Sequence, residues 1–105
     1  GAAITADDDF QNLLNDTLNL HQRFLEKCFI KLYEKQKGAV TGGIVNTRFK
    51  INKKGSIENV EITRSDYDDN DFHLCVEEVF SRVQFKAYKN SARTVDFPVQ
   101  IQVPL

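Results

Sequence analysis

Two cysteines and two histidines are the side chains of this sequence best suited to covalent bonding or metal binding. Cys28 and Cys75 are the only cysteines, and each lies on the apolar face of a segment with helical periodicity. If the two segments pack side by side, a disulfide between them is geometrically possible. The alternative is two buried free thiols in a reducing compartment, where cysteine packs as a small hydrophobic residue. No Cys-x-x-Cys pair and no nearby base is present, which argues against a redox enzyme.

A zinc site would need both histidines and both cysteines to converge on one ion. His21, Cys28, His73 and Cys75 together supply suitable ligand types. Residues two apart on a helix point about 200° away from each other, so His73 and Cys75 cannot face the same metal. The spacing therefore predicts no zinc site, and His21 is expected to be a half-buried residue of its helix.

An acidic stretch partly matches the spacing of a calcium-binding loop. Positions one, three, five and twelve of an EF-hand count are occupied by Asp66, Asp68, Asn70 and Glu77. Asp71 stands where that loop requires glycine for its turn. We expect Asn70 or Asp71 to cap a helix instead, since acidic residues favour the first helical turn. No metal site is predicted here either.

Composition and motifs favour a protein that performs no catalysis. The 105 residues are 41% hydrophobic, and 14 Lys+Arg stand against 15 Asp+Glu for a net charge of −1. That balance lacks the basic excess that nucleic-acid binding needs. The sequence contains no nucleophile motif, glycine-rich phosphate loop or supported carboxylate pair, so neither a catalytic residue nor a cofactor is predicted. No apolar run approaches the roughly 18 residues of a transmembrane helix.

The elements that position these residues form one predicted domain over residues 1–105, with residues 1–4 as a disordered or tag-derived start. The first helix is predicted over residues 5–37, from a capping box at Thr5 to a stop near Lys37-Gly38. Its apolar stripe recurs at helical spacing and consists of Phe10, Leu14, Leu18, His21, Leu25, Cys28 and Leu32, widened by Leu13, Phe24 and Phe29.

After the first helix the hydrophobic period changes to two. A hairpin is predicted over residues 43–64, with a turn at residues 52–56 in which Gly55 supplies a positive φ. The second hairpin strand departs from strict alternation, which indicates a bulge. A second helix follows over residues 70–83, with Cys75 on its apolar face, and a strictly alternating strand covers residues 94–103.

The order α-β-β-α-β predicts an α+β fold. A hairpin makes the first two strands antiparallel, and a one-helix crossover returns the third strand parallel to the second. The simplest arrangement is a three-stranded antiparallel sheet of order 2-1-3 with both helices on one face. The third strand is then an edge. Pro98 within it fits this position, because proline cannot donate to a ladder.

The second half of the chain resembles the C-terminal domain of TonB. The resemblance lies in the strand Gly43 to Ile51, in the glycine turn and strand Lys54 to Ile62, and in Ser65, Phe72-x-x-Cys75-Val76 and Phe85. The chain is most similar to the AgmX/PglI C-terminal domains, a TonB-like group. Their pattern has a cysteine on each helix and a final strand that ends in proline, which Cys28, Cys75 and Val103-Pro104-Leu105 match. The resemblance covers roughly residues 20 to 105.

The resemblance implies a domain in the bacterial periplasm whose parent protein is anchored in the inner membrane. Such domains bind partner proteins in energy transduction to the outer membrane, in transport or in gliding motility. The resemblance also favours the Cys28–Cys75 disulfide over free thiols. The Tyr-Pro pair that precedes the first strand of classical TonB domains is missing, so a broader protein-binding role is expected.

The predicted binding surface is the third strand, at the edge of the sheet. An unpaired strand edge can accept an extended peptide as a further strand, and TonB-like domains as a family use their last strand in this way. The residues assigned to partner binding are Thr94, Val95, Asp96, Phe97, Val99, Gln100 and Ile101. The partner is then a protein or extended peptide of the cell envelope, bound by a monomer or weak dimer. The alternative is a structural envelope domain that associates with itself.

Overall fold

The computed structural model describes residues 6–86 and 92–102, which form three helices and one sheet. In chain order the elements are α1 (Ala6–Asn19), α2 (Gln22–Lys35), β1 (Gly43–Ile51), β2 (Ile57–Ser65), α3 (Asn70–Ser81) and β3 (Arg93–Ile101). The sheet is antiparallel with the order β2-β1-β3. This confirms the predicted α+β class and strand order. The predicted cap at Thr5, the start at residues 1–4 and the end at Val103-Pro104-Leu105 lie outside the described residues.

The long first helix of the prediction is two helices, α1 and α2. At the break, the N–H of Leu20 donates to Thr17 O (3.2 Å) and that of His21 to Leu18 O (3.0 Å), which closes α1 with tighter three-residue turns. The residues just before the break, Asn15-Asp16-Thr17-Leu18-Asn19, are mostly weak helix formers. The apolar stripe continues on both sides of the break, so periodicity alone did not indicate it. Phe24, predicted to widen the stripe, is 49% exposed.

The sheet buries one face under the helices. On β1 the predicted alternation is confirmed, with the side chains of Val45, Thr47, Phe49 and Ile51 buried. On β3 the side chains of Val95 and Val99 are buried on the same face. The predicted irregularity of β2 is also confirmed, because its register with β1 shifts twice and Asn59 there has a φ of 54°.

All three helices lie on this face and share one hydrophobic core. The α3 residue Phe80 stacks near Phe49 of β1, with ring centroids 5.3 Å apart. The guanidinium carbon of Arg93, at the start of β3, lies 4.5 Å from the ring centroid of Phe10 in α1. The two-helix layer of the prediction is therefore a three-helix layer, in which α1 covers the β3 side of the sheet.

Candidate functional site

The outer edge of β3 has no strand beside it among the described residues. The hydrogen bonds that β1 makes to β2 show which peptide groups of β3 face that edge. Ile44 O accepts from Asp66 N (3.1 Å) and Asn52 N donates to Ser56 O (2.9 Å), so the even-numbered residues of β1 turn their peptide groups toward β2. The odd-numbered residues of β1 then face β3, because peptide groups alternate in direction along a strand.

Because β1 and β3 pair in a fixed register, the peptide groups of β3 alternate in the same way. Odd residues pair with odd residues, as Thr47 does with Phe97, and Thr47 Oγ1 also donates to Phe97 O (2.8 Å). The odd residues of β3 therefore bond to β1. The N–H and C=O groups of Thr94, Asp96 and Gln100 face outward, whereas Pro98 offers only its carbonyl.

The predicted binding residues thus divide into two sets that face different directions. Thr94, Asp96 and Gln100 have exposed side chains and direct their backbone groups to the edge. The other set turns its side chains toward the helices and consists of Val95, Phe97, Val99 and Ile101. Both sets lie on one continuous strand, so an added chain could take hydrogen bonds from the first and side-chain contacts from the second.

The opposite edge of the sheet, on β2, is a poorer template. Two register shifts interrupt it, and Asn59 adopts a left-handed conformation there. Bulges of this kind twist an edge away from further pairing. By contrast, β3 pairs with β1 over nine consecutive positions without a shift. The regular edge is the one that can extend the sheet.

A groove runs between β3 and the helices beside this edge. Its volume is about 440 Å³, and its helix side is lined by Leu18 of α1 together with Leu25 and Phe29 of α2. Its strand side includes Phe97 and Ile101. Leu25, Phe97 and Ile101 are only partly buried, so apolar surface is accessible in the groove. Sequence reasoning assigned Leu18 and Leu25 to the core stripe and had no signal for the gap between them and β3.

The disulfide predicted from the two cysteines is present. Cys28 of α2 and Cys75 of α3 are joined, with Cα atoms 5.7 Å apart. With both sulfurs bonded to each other, neither can serve as a thiolate ligand for a metal. Such a bond fits an oxidising compartment, either extracellular or periplasmic. Within the described residues, no helix is long and apolar enough to cross a membrane.

The acidic stretch before α3 supplies side chains that accept hydrogen bonds from backbone N–H groups, one of them at the start of α3. Asp69, rather than the predicted Asn70 or Asp71, is the N-cap, and its Oδ1 accepts from Phe72 N (2.9 Å). Its Oδ2 lies 2.8 Å from Lys35 Nζ. The hydrogen bond from Lys35, followed by that from Phe72 N–H, holds the pKa of Asp69 below its ordinary value. Asp66 Oδ2 accepts from Ile44 N (2.8 Å) and so fixes the start of β1.

One hydrogen-bonded serine–histidine pair was not foreseen from the sequence. His73 Nε2 lies 2.8 Å from Ser65 Oγ, beside an open cavity of about 470 Å³. The Ser65 hydroxyl also accepts from Tyr67 N (3.0 Å) and donates to Tyr67 O (3.0 Å). These bonds hold the hydroxyl in the turn between β2 and α3. The pair therefore has an evident structural use, in bracing this turn against α3.

In the part of the chain that the structure describes, no three histidine, cysteine or acidic side chains gather in a way that could hold a metal ion. No family model, curated protein or solved structure matches the chain.

Proposed function

We propose that this chain is a non-catalytic protein-interaction domain that binds an extended segment of a partner protein by strand addition to β3. The observation that carries the proposal is the outward row of backbone groups at Thr94, Asp96 and Gln100, next to a strand that pairs regularly along its whole length. An exposed regular edge promotes aggregation unless it is protected or used. Pro98 removes one donor from the row and leaves the others in place.

The compartment we propose is the bacterial periplasm. The Cys28–Cys75 disulfide supports an oxidising compartment. The resemblance to TonB-like C-terminal domains favours the periplasm among such compartments, with a parent protein anchored in the inner membrane. The partner would then be another protein of the cell envelope. Energy transduction, transport and gliding motility are the processes that this resemblance favours.

The first test is amide hydrogen exchange in the protein without a partner, followed by NMR. We expect the odd-numbered amides from Val95 to Val99 to exchange on the order of a hundredfold more slowly than those of Thr94, Asp96 and Gln100. The reason is that only the odd set bonds to β1. Equal protection of both sets, independent of protein concentration, would mean that the edge is already covered and would contradict the proposal. Protection of the even set that grows with concentration would favour the self-associating alternative.

The second test identifies where a bound peptide lies. Peptides of about ten residues, the length of a long strand, are selected from a displayed random library and titrated into labelled protein. We expect shifts and new amide protection at Thr94, Asp96 and Gln100. Selected peptides that shift only α1 or the outer face of α2 would contradict strand addition.

A matched pair of variants separates the backbone contribution from the side chain. Gln100→Pro removes one outward N–H, whereas Gln100→Ala keeps it and removes only the exposed side chain. We expect the proline variant to bind a selected peptide about tenfold more weakly and the alanine variant to bind normally. Should Gln100→Pro not fold, a peptide N-methylated at alternate residues makes the same test on the native protein. Unchanged binding of every methylated peptide would contradict strand addition.

A further inference from the structure

The groove beside β3 lies where the side chains of an added strand would point. Directly paired residues on neighbouring strands project to the same face of a sheet. Partner residues opposite Phe97, Val99 and Ile101 would therefore point toward the helices, into the space in front of Leu25. Their neighbours along the partner chain would point to the open face of the sheet.

The lining of the groove determines which side chains it accepts. Leu25 of α2 and Phe97 and Ile101 of β3 present partly buried apolar surface. Polar groups stand around it, of which Gln22 and Gln102 are uncharged and Glu26 is acidic. An apolar side chain entering the groove removes this surface from water, whereas an acidic one would be desolvated near the carboxylate of Glu26.

The backbone row on one wall determines the conformation of the occupant. The outward N–H and C=O groups of β3 require partners, which an extended chain supplies. A helix satisfies its own backbone groups and would leave this row unpaired. The open face of the sheet, by contrast, is polar at this strand, where Arg48 Nε bonds to Asp96 Oδ1 (2.7 Å).

We infer that the groove selects, among extended segments, those with a large apolar side chain at every second position and polar residues between them. The inference rests on the proposed strand addition and adds the partner's side-chain pattern to it. The helix side of the partner strand supplies the apolar residues, and its other side lies level with the exposed polar residues Asp96 and Gln100.

Three synthetic peptides test the pattern, each of equal length and flanked by the same lysines. The first alternates leucine and serine, the second has the same composition with the leucines in one block, and the third alternates threonine and serine. We expect the alternating leucine peptide to bind at least about tenfold more tightly than either of the others, measured by fluorescence anisotropy.

A pair of variants on α2 tests whether the groove is responsible. Leu25→Asp places a charge in the groove, whereas Phe24→Asp places one on a neighbouring residue that is already 49% exposed. We expect about a tenfold loss of affinity for the alternating leucine peptide in the first variant and little change in the second. Should Leu25→Asp not fold, Leu25→Ala takes its place, with a smaller expected loss.

The outcomes separate this inference from the proposed function. Equal affinity for all three peptides, with shifts at Thr94, Asp96 and Gln100, would overturn the groove pattern and leave strand addition standing. The absence of shifts along β3 with any bound peptide would overturn both. Sedimentation of the protein alone is the remaining control, because a dimer that forms through the groove would show a second copy to be the occupant.

Discussion

At the scale of single residues, Asp69 joins two helices with one carboxylate. One oxygen caps α3 through Phe72 N, and the other binds Lys35 near the end of α2, 2.8 Å away. The pKa of Lys35 is raised in turn, chiefly by the hydrogen bond of Lys35 to Asp69 and then by its hydrogen bond to Asp71. The carboxylate is thus favoured in its charged form in the folded protein, and the ammonium group likewise.

The lowered pKa of Asp69 makes stability depend on acid. A carboxyl whose pKa falls on folding stabilises the folded protein fully above its ordinary pKa, 3.8, and loses that contribution as the pH drops toward the folded pKa. Asp69→Asn keeps an equally good capping oxygen and removes the titrating charge. We therefore expect urea unfolding midpoints of this variant to fall less than those of the native protein between about pH 5 and pH 2.

Asp68→Asn is the control for this prediction. Asp68 is exposed, and it differs from Asp69 in capping no helix. Its variant should keep the acid dependence of the native protein. Identical pH profiles for Asp69→Asn and the native protein would show that the contact with Lys35 contributes nothing to stability.

Chemistry at this scale was predictable where residue type was decisive. Two cysteines on two apolar faces made a disulfide possible, and the resemblance to TonB-like domains favoured it over free thiols. The cap was predicted one or two residues too late, because Asp69, Asn70 and Asp71 all have side chains that can cap a helix. Only Asp69 has the extended backbone of an N-cap, with φ −146° and ψ 114°. Residue type alone does not separate Asp69 from Asn70 and Asp71, which already lie within the helix.

At the scale of elements, the hairpin turn is tied to the segment after α3. The N–H of Phe85 donates to Gly55 O (2.8 Å), and Gln84 Nε2 donates to Lys54 O (2.8 Å). Gly55 has a φ of +89°, and a Cβ there would lie 2.0 Å from Phe85 O. Glycine is needed here both for the turn and for the close approach of a second backbone.

Gly38 provides a comparison, because it has a positive φ like Gly55 but no second backbone packed against it. Its φ is +80°, and a Cβ there would lie 3.3 Å from the hydroxyl at the end of Tyr33, a group that can move. We expect Gly38→Ala to cost about 1–2 kcal/mol for the left-handed backbone alone. Gly55→Ala should cost clearly more, since the backbone of Phe85 must also move. Equal unfolding free energies of the two variants would show that the turn does not need this packing.

The helix α1 contributes buried side chains to the core, whereas the break after it is exposed. Leu14 is 4% exposed and Leu20, at the break between the helices, is 78% exposed. Leu14→Ala should therefore lower the unfolding free energy by about 2–4 kcal/mol, and Leu20→Ala by less than about 0.5 kcal/mol, measured in denaturant. Similar small effects of both would show that α1 is not packed on the domain in solution.

The break between α1 and α2 shows why periodicity can identify a helical stripe without fixing its ends. An apolar stripe stays in phase across a short interruption, so Leu18 and Leu25 fit one helix as well as two. Propensity carries the missing information, in the run of asparagine, aspartate and threonine before Leu20. The gap between Leu25 and β3 depends on tertiary packing, which is why the groove was not predicted.

At the scale of the whole molecule, the two edges of the sheet differ. Two bulges distort β2, whereas β3 is regular, and in the described part of the chain no strand pairs with its outer edge beside the groove. Alternation and chain order were enough to predict the strand order and the choice of β3 as the edge. The outward direction of Thr94, Asp96 and Gln100 needed the register with β1, which cannot be counted from the sequence of one strand.

The Cys28–Cys75 bond joins α2 to α3 and so holds together the layer that covers the sheet. The two cysteines are 47 residues apart, and closing a loop of this length stabilises by about 4 kcal/mol when the entropy of the unfolded chain is considered. Cys75→Ser should lower the unfolding free energy by roughly that amount, and reductant should bring the native protein to the same midpoint. Intact protein without reductant should be lighter than reduced protein by the mass of two hydrogens.

The same bond should influence the groove, because Phe29 and Val76 line it and each follows one of the two cysteines in sequence. Without the bond α2 can move relative to α3, and the wall that carries Leu25 loses its fixed distance from β3. We expect the folded Cys75→Ser protein to bind the alternating leucine peptide more weakly than the native protein does, while amide protection along β1 is kept. If the Cys75→Ser variant has a lower unfolding midpoint but the same affinity for the peptide, the disulfide contributes to stability and does not shape the groove. If reduction of the native protein weakens peptide binding as much as Cys75→Ser does, the bond itself is the feature that pre-organises the groove.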